Sequence, residues 1–476
     1  MLTYELKKLP GMPLYEGLYR CIREDIRTGR LRPGEKLPSK RALAANLKIS
    51  KITVEGAYEQ LLSEGYIRSV EKIGYFVEES TKTDDFSSNA ARPVVKKNLS
   101  TNIDSFSSNA AQTIDLTANH ALKFPFSVWS RLQREVMLDV GEALLAPVPN
   151  QGLYALRLAI SRQLQAFRGM TVDPENILIG AGTDFLYNLL IQLLGRDRLY
   201  AVEEPGYGKI RRIYAAGGVR CISAGLDSQG VCPETLGEAS VLHISPSHHF
   251  PTGIVTTAQR RQALLSWARE GERYIIEDDY DSEFRFSARP IPPMQTMDRA
   301  GRVIYMNTFS KTLAASIRIS YMVLPPALMA RFREILGFYS CTVPSFEQYT
   351  LARFLDGGHF EKHINRMRKQ YKSRRNKVLA AIKAEKCSIL EENAGLHFLV
   401  KLETRLSGEE LTARFLEKGL RVRTLGSYYH GPCPPAAETT LVVNYSALTE
   451  GQADALAALF PSLVNEITEI GNGSPD

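Results

Sequence analysis

The chain has no apolar run approaching the roughly 18 residues that a membrane-crossing helix needs. Its opening, "MLTYELKKLPG", lacks the basic-then-apolar pattern of a secretory leader. A soluble, cytoplasmic protein is expected. Cysteine is sparse: Cys21, Cys221, Cys232, Cys341, Cys387 and Cys433 are scattered, and none sits at metal-ligand spacing. That argues against a zinc module and a disulfide framework, and for reduced thiols. Charge of one sign is not strongly in excess. The net charge of +7 permits contact with nucleic acid without requiring it. What is present is length and a core: 476 residues, 44% of them apolar, are enough for two or three domains.

Residues 79–112 stand apart from their surroundings. They are rich in Ser, Thr, Asn, Asp and Ala, poor in apolar residues, and carry "FSSNAA" twice, at 86–91 and 106–111. Such composition buries too little surface to offset chain entropy, so the stretch reads as a flexible linker. The duplication reads as a repeated spacer, with a docking motif as the alternative. Before it lies a small domain, residues 11–78. After it, residues 113–470 alternate strand-like runs, "NILIG" (176–180), "YIIEDD" (274–279) and "RVIYM" (302–306), with amphipathic stretches. Alternation of this kind predicts an α/β domain around a largely parallel sheet.

In the small domain, Leu14, Leu18, Cys21, Ile22 and Ile26 recur at helical spacing, and the helix ends near Gly29. Ser39 and Ser50 are placed to cap two further helices. The second of these buries Val54, Ala57, Tyr58, Leu61 and Leu62 and stops at Gly65. "YIRSV" and "GYFVEE" then read as a hairpin. Helix, helix, turn, helix, hairpin is the order of a winged helix-turn-helix. Residues 36–54 hold Lys36, Lys40, Arg41, Lys48 and Lys51 and no acid, the local excess that phosphate contacts need. Lys51, Ile52 and Thr53, beside the capping Ser50, open the recognition helix and are expected at base edges. Lys40 and Arg41 are expected on phosphate or a base, and Lys72 and Gly74 on the wing. A helical cap with a solvated charged face is the bland alternative.

"LPSKRALAANLKISKITVEGAYEQLLSEGYIRS" resembles the GntR-type DNA-binding domain over nearly its whole length. The resemblance implies a double-stranded DNA operator as partner. Two departures leave the operator open. Lys51 stands where that family usually has Arg, and lysine lacks the fork that reads guanine best. The wing reads "EKIGYFV" rather than a Gly-rich, threonine-bearing run.

The large domain contains one unusual strand end. In "VIYMNTFSKTLAASIRIS" (303–320) a core-like strand runs into Thr308, Ser310 and Lys311, with Arg318 following. Upstream, "YIIEDDYDSEFR" carries Glu277, Asp278, Asp279, Tyr280 and Asp281 to another strand end, where ligands of α/β sheets usually bind. A metal is the rival reading of these acids. They show no EF-hand spacing and no histidine at ligand spacing, so no metal site is assigned. "ILIGAGTDFLYNLLIQLL" places Gly182 and Thr183 between a strand and a helix N-terminus, where backbone N–H groups favour an anion. "AVEEPGYG" places Tyr207 after a Pro-Gly turn.

Together these runs resemble the fold-type-I pyridoxal-phosphate enzymes, the aspartate aminotransferase architecture, over about residues 113–470. The resemblance implies pyridoxal 5'-phosphate as cofactor. Lys311 would form the Schiff base. Thr308, Ser310, Arg318, Gly182 and Thr183 would hold the phosphate, and Asp278 the ring nitrogen. Tyr280 would bond the ring oxygen and Tyr207 would stack on the ring. A GntR-type reader joined to such a domain, with "EDDYDSEFR", "HHFPTG" and "NTFSKTLAASIR", is similar to the MocR/GabR type of bacterial transcription regulator.

Three departures from working aminotransferases bear on function. Phe250 replaces the Asn of their Asn-Pro-Thr-Gly run. Val442, in "LVVNYS", stands where they place a carboxylate-binding Arg. Lys209 stands where some amino-acid-sensing regulators have Arg. Lys209, Arg423 and His430 are the candidate replacements. His397, in "AGLHFLVKL", is a core histidine or a site residue. The expectation is a DNA-binding regulator that senses an amine, an amino acid or the cofactor itself, probing as a head-to-tail homodimer for paired half-sites. The alternatives are a genuine aminotransferase with an accessory DNA-binding domain, and a regulator whose large domain is structural only.

Overall fold

The computed structural model describes residues 4, 14–70, 73–78, 113–118, 124–284, 291–383, 386–390 and 395–470. Lys72, the stretch 79–112 and its repeated hexapeptide lie outside the described residues. The described chain divides into two compact units. One holds the residues up to 78 together with 125–141, and the other holds the remainder.

In the first unit, α1 (Leu14–Arg27), α2 (Lys40–Leu47) and α3 (Lys51–Ser63) enclose a core of Leu18, Ile22, Leu43, Val54, Ala57, Tyr58 and Leu61. These are the apolar positions that recur at helical spacing in the sequence. The Ser39 Oγ accepts from the Ala42 N–H at 3.2 Å, and the Ser50 Oγ from the Thr53 N–H at 3.1 Å, so both expected caps form. Strand β1 (Lys36–Leu37) joins β2 (Ile67–Val70) and β3 (Gly74–Val77) in an antiparallel sheet ordered β1-β3-β2. The hairpin is as the sequence predicts; the two-residue β1 is too short to leave a period-2 signal. Gly74 opens β3 at φ +134, with Lys36 Cε 3.2 Å from where a Cβ would sit. Helix α4 (Phe126–Val140) groups with this unit, although the sequence places it at the start of the large domain. Its Arg134 Nη2 donates to the Glu64 carbonyl at 2.8 Å, next to the C-terminus of α3.

The second unit begins with β4 (Ile114–Asp115), which pairs in parallel with residues 420–421, and is built on an eight-stranded sheet, counted among the described residues, ordered β5-β12-β11-β10-β9-β6-β7-β8. The strands are β5 (Ile177–Gly180), β6 (Leu199–Glu204), β7 (Arg220–Asp227), β8 (Gly230–Val231), β9 (Val241–Ile244), β10 (Tyr274–Asp278), β11 (Val303–Thr308) and β12 (Ser320–Val323). β7, β6, β9, β10 and β11 run parallel, while β12 is antiparallel to both β11 and β5. Every residue of β5, β9, β11 and β12 is buried, which is the reason these strands read as continuous apolar runs rather than alternating ones. Helices between the strands cover the sheet. Those nearest the candidate site are α5 (Tyr154–Arg168), α6 (Thr183–Leu194) and α7 (Gly208–Ala216). A smaller antiparallel sheet of residues 387–390, 397–402 and 440–444 follows, packed by helices that include 359–381 and 450–470.

The turn between α2 and α3 is strained at one place. Lys48 caps α2 in the left-handed region, at φ 55 and ψ 42, a conformation that costs a residue with a Cβ roughly 1–2 kcal/mol. Lys48→Gly is expected to stabilise the first unit by about 1 kcal/mol, part of the gain being offset by glycine's unfolded freedom. Ser50→Ala is expected to destabilise it by about 1 kcal/mol through loss of the α3 cap. Urea unfolding of the two variants should move in opposite directions.

Candidate cofactor and nucleic-acid sites

The carboxyl ends of β5, β10 and β11 bring together side chains that lie more than a hundred residues apart. Asp278 ends β10. The Tyr187 hydroxyl of α6 donates to its Oδ2 at 2.5 Å, and His243 Nε2 of β9 lies 3.6 Å from the same atom. His243 Nδ1 is in turn 2.6 Å from the Tyr214 hydroxyl. The other oxygen, Asp278 Oδ1, is buried and has no hydrogen-bond partner among the described residues. An unpaired buried carboxylate oxygen is costly, so the site fits a ligand that carries an N–H donor.

Lys311 follows the end of β11. Burial pushes its amine below the usual lysine range, and the negative charge of Asp281 opposes that. Asp281 is held by His248, whose Nδ1 lies 2.9 Å from Oδ2, and the Tyr280 hydroxyl is 3.4 Å from the same nitrogen. The His248 ring packs 4.6 Å from His397, which is buried and kept neutral first by burial and then by the charges of its neighbours, Lys311 among them. His397 is therefore packed among the residues around Lys311.

A group of hydroxyls and a guanidinium follows the same strand end. Thr308 Oγ1 donates to Ser310 Oγ at 2.9 Å and accepts from Ser320 Oγ at 2.8 Å. Arg318 adopts the left-handed region, φ 49 and ψ 36, and its Nη2 would lie 2.1 Å from a Cβ placed at Gly182. Only glycine at 182, itself at φ +91, admits that guanidinium. Thr183 begins α6, so first-turn N–H groups without helical partners sit beside Arg318. Asp184 Oδ2 accompanies this group, 3.5 Å from Arg318 and 2.6 Å from the Lys209 amine. Lys209 is thus committed to Asp184.

An aromatic cluster completes the site. Phe250 packs edge-on against Tyr207 at 6.1 Å, Tyr428 at 5.2 Å and His397 at 5.0 Å. Tyr207 remains 52% exposed, leaving its ring available to a ligand. Burial raises the Tyr428 phenol, and Arg423, hydrogen-bonded to it, pulls it back. The His430 N–H donates to Glu204 Oε1, and the exposed His430 ring takes no part in the cluster. Val442 is buried within the strand 440–444, so no cation comes from there. Among the described residues, no group of three or more His, Cys, Asp or Glu side chains is arranged to hold a metal.

Tyr187, His243, Ser320 and the structural ion pair of Arg168 with Asp279, at 2.8 Å, escape sequence reading. Ser320 sits two residues after Arg318 and carries a weak positional signal; the others carry none.

In the first unit, Lys48, Lys51, Ile52 and Arg41 are exposed near the start of α2 and α3. Lys40 is engaged with Glu55 at 2.7 Å. The Thr53 hydroxyl is 2.8 Å from Ser50 Oγ, within the cap.

Residues 14–77 match the bacterial regulatory proteins of the gntR family, and residues 111–459 match the aminotransferase class I and II family. The uncharacterized HTH-type transcriptional regulator YdeL of Bacillus subtilis is 37% identical, over 90% of this chain and 93% of its own length. The probable rhizopine catabolism regulatory protein MocR of Rhizobium meliloti is 30% identical, over 88% of each chain. The chain belongs to the MocR-type regulators. Another relative, the pyridoxine biosynthesis regulator PdxR of Corynebacterium glutamicum, is 30% identical over 86% of this chain and 87% of its own. Among solved structures, the kynurenine aminotransferase of Pyrococcus horikoshii superimposes with a TM-score of 0.66 at 25% identity, covering 76% of this chain and 94% of that one. A MocR-type regulator thus has a DNA-binding unit and an aminotransferase-like unit of fold type I, a family that depends on pyridoxal phosphate. No helix among the described residues is long and apolar enough to cross a membrane.

The buried imidazoles give the large unit a pH dependence. Burial, and then His248, hold His249 down to about 3, against 6.5 for the free side chain. A histidine of this kind stabilises the fold above pH 6.5 and loses that contribution as the pH falls toward 3. Glu277 and Glu283, each pushed up to about 7 by burial, act the other way: their contribution is full below 4.5 and lost as the pH rises through 7. Comparison of wild type with His249→Gln isolates the histidine. The variant's unfolding free energy should fall less steeply between pH 6.5 and 3 in denaturant titrations.

Proposed function

We propose that this regulator binds pyridoxal phosphate at Lys311 and uses the site as a sensor of an amine, an amino acid or the cofactor itself. The reading rests above all on one observation, the buried Asp278 Oδ1 left without a partner, and is supported by a lysine whose amine burial holds below its usual range. The cofactor supplies an aldehyde that condenses with amines and a ring that withdraws electrons. The chain's own residues do the rest. Lys311 offers a larger neutral, nucleophilic fraction than a solvated lysine does. Asp278, one oxygen of which is held by Tyr187, would hold the ring nitrogen. Thr308, Ser310 and the first N–H groups of α6 would hydrogen-bond the phosphate, and Arg318 would offset its charge. Phe250 donates no hydrogen bond, so Tyr280 alone of that pair serves the ring oxygen.

A catalyst must hold its substrate in near-attack geometry, whereas a sensor needs only different affinities in two conformations. Lys209 is engaged with Asp184 and Val442 carries no charge, so an amino-acid carboxylate lacks its usual clamp here. That favours a sensor whose conformational change passes through the linker to the DNA-binding domain. By likeness to the family, the active form is a head-to-tail homodimer in the cytoplasm, meeting two half-sites as direct or inverted repeats. The rival reading, a working aminotransferase with an accessory DNA-binding domain, draws on the same lowered lysine. Sustained keto-acid formation at enzyme-like rates would establish it.

The visible spectrum of the purified protein with pyridoxal phosphate tests the cofactor. Wild type should show an absorption band above that of the free protein, and Lys311→Ala should lack the lysine-bound form. A colourless wild type would leave the large unit a structural shell. Lys51→Ala and Arg41→Ala should each weaken operator binding, by about 1–3 kcal/mol where the contact is to a base edge, and keep the band. Mobility shifts and spectra on the same preparations would reveal misfolding as a joint loss of both.

A further inference from the structure

The start of α3 carries an apolar side chain that the protein does not cover. Ile52 is 79% exposed, more than any other large apolar residue among those described. It lies two residues from the fully buried Val54, roughly 200° round the helix, and so on the face away from the core. Its polar neighbours are already engaged. Thr53 is tied to Ser50 within the helix cap, and Lys40 to Glu55. Lys48 and Lys51, close to it in the chain, are exposed and cationic, and Glu55, the nearest acid on α3, is neutralised by Lys40. A β-branched side chain at the tip of a helix, with Lys51 beside it and Lys48 in the turn before, complements a negatively charged groove that holds an apolar group. In the DNA major groove, the apolar group on a base edge is the C5-methyl of thymine.

We propose that Ile52 is a specificity-determining residue that reads a thymine methyl group in each operator half-site. The contact is van der Waals and apolar. It distinguishes thymine from cytosine by the methyl, while Lys51 and the phosphate-binding cations set affinity. The inference rests on duplex DNA binding by the gntR-type unit.

The test uses the full chain and a duplex recovered from a random pool by wild-type binding. Each thymine in that duplex is replaced in turn by deoxyuridine, which removes only the methyl. Wild type should bind about fourfold more weakly when one particular thymine per half-site is demethylated, the worth of one buried CH₂-sized group. Ile52→Ala should bind the unmodified duplex about fourfold more weakly and be indifferent to demethylation at that position. Ile52→Val should retain the methyl sensitivity. Equal low-salt binding to unrelated duplex in all three would show that the unit is folded. A wild type indifferent to every demethylation, a methyl effect unchanged in Ile52→Ala, or a selected duplex with no recurrent thymine would each overturn the proposal. A change of oligomeric state in Ile52→Ala without methyl sensitivity in wild type would overturn it too, by making Ile52 a protein contact. Failure of wild type to retain any duplex would bring down the DNA-binding reading with it.

Discussion

Two adjacent carboxylates at the end of β10, Asp278 and Asp279, are treated in opposite ways, and the large unit's site depends on that difference. Successive side chains of a strand point to opposite faces. Asp279 points to the side where Arg168 meets it at 2.8 Å and the Tyr305 hydroxyl donates to it at 2.6 Å. That pair is buried, and removing either member would strand a charge in the core. Burial alone would raise Asp279, but Arg168 wins and holds it below the usual carboxylate range. Asp278 meets no cation of comparable strength; a phenol and an imidazole occupy one oxygen and leave the other open. One carboxylate therefore anchors the strand end, and its neighbour is presented to a ligand.

What was legible in the sequence is what is local in the chain. The Ser39 and Ser50 caps, the 54-57-58-61 stripe and the three strands 177–180, 274–278 and 303–308 follow from short-range rules that the structure obeys. The order of phosphate loop, tyrosine, Asp-x-Tyr and lysine was legible because each piece is a short motif at a strand end. The partners that decide how those motifs behave come from elsewhere. Tyr187 reads as one more residue of an amphipathic helix, His243 as a histidine in a strand, and Arg168 as the last residue of a helix. Each gains its role only when the parallel sheet aligns β9, β10 and β11. The left-handed Lys48 was illegible for another reason. Lysine has no preference for that conformation, and the tight turn between α2 and α3 imposes it.

The nucleic-acid face shows how capping and recognition compete for the same residues. A hydroxyl that closes a helix N-terminus spends an acceptor on the cap and keeps only part of its capacity for a base. Ser50 and Thr53 are coupled in this way, and Lys51 is the cation that opens α3. Lysine is a point charge without a planar fork, and it discriminates bases weakly. Under the proposal that Ile52 reads a thymine methyl, apolar contact adds discrimination at this end of α3.

The aromatic cluster bears on how a ligand could change the conformation of the large unit. Its four rings come from four places: Tyr207 at the start of α7, Phe250 in the loop after β9, His397 in the smaller sheet, and Tyr428 in the turn before the strand 440–444. The Gly206 N–H donates to the Tyr428 carbonyl at 3.1 Å, and Glu204 accepts from the backbone of His430 and Gly431. These bonds tie the end of β6 to the loop of the smaller sheet. A ligand that touched Tyr207 on one side and Tyr428 on the other would contact both sides of this junction at once. Its contacts would therefore differ between a closed and an open arrangement, and that difference in contact free energy is all a sensor requires. Neither a clamp on a carboxylate nor catalytic turnover is needed for it.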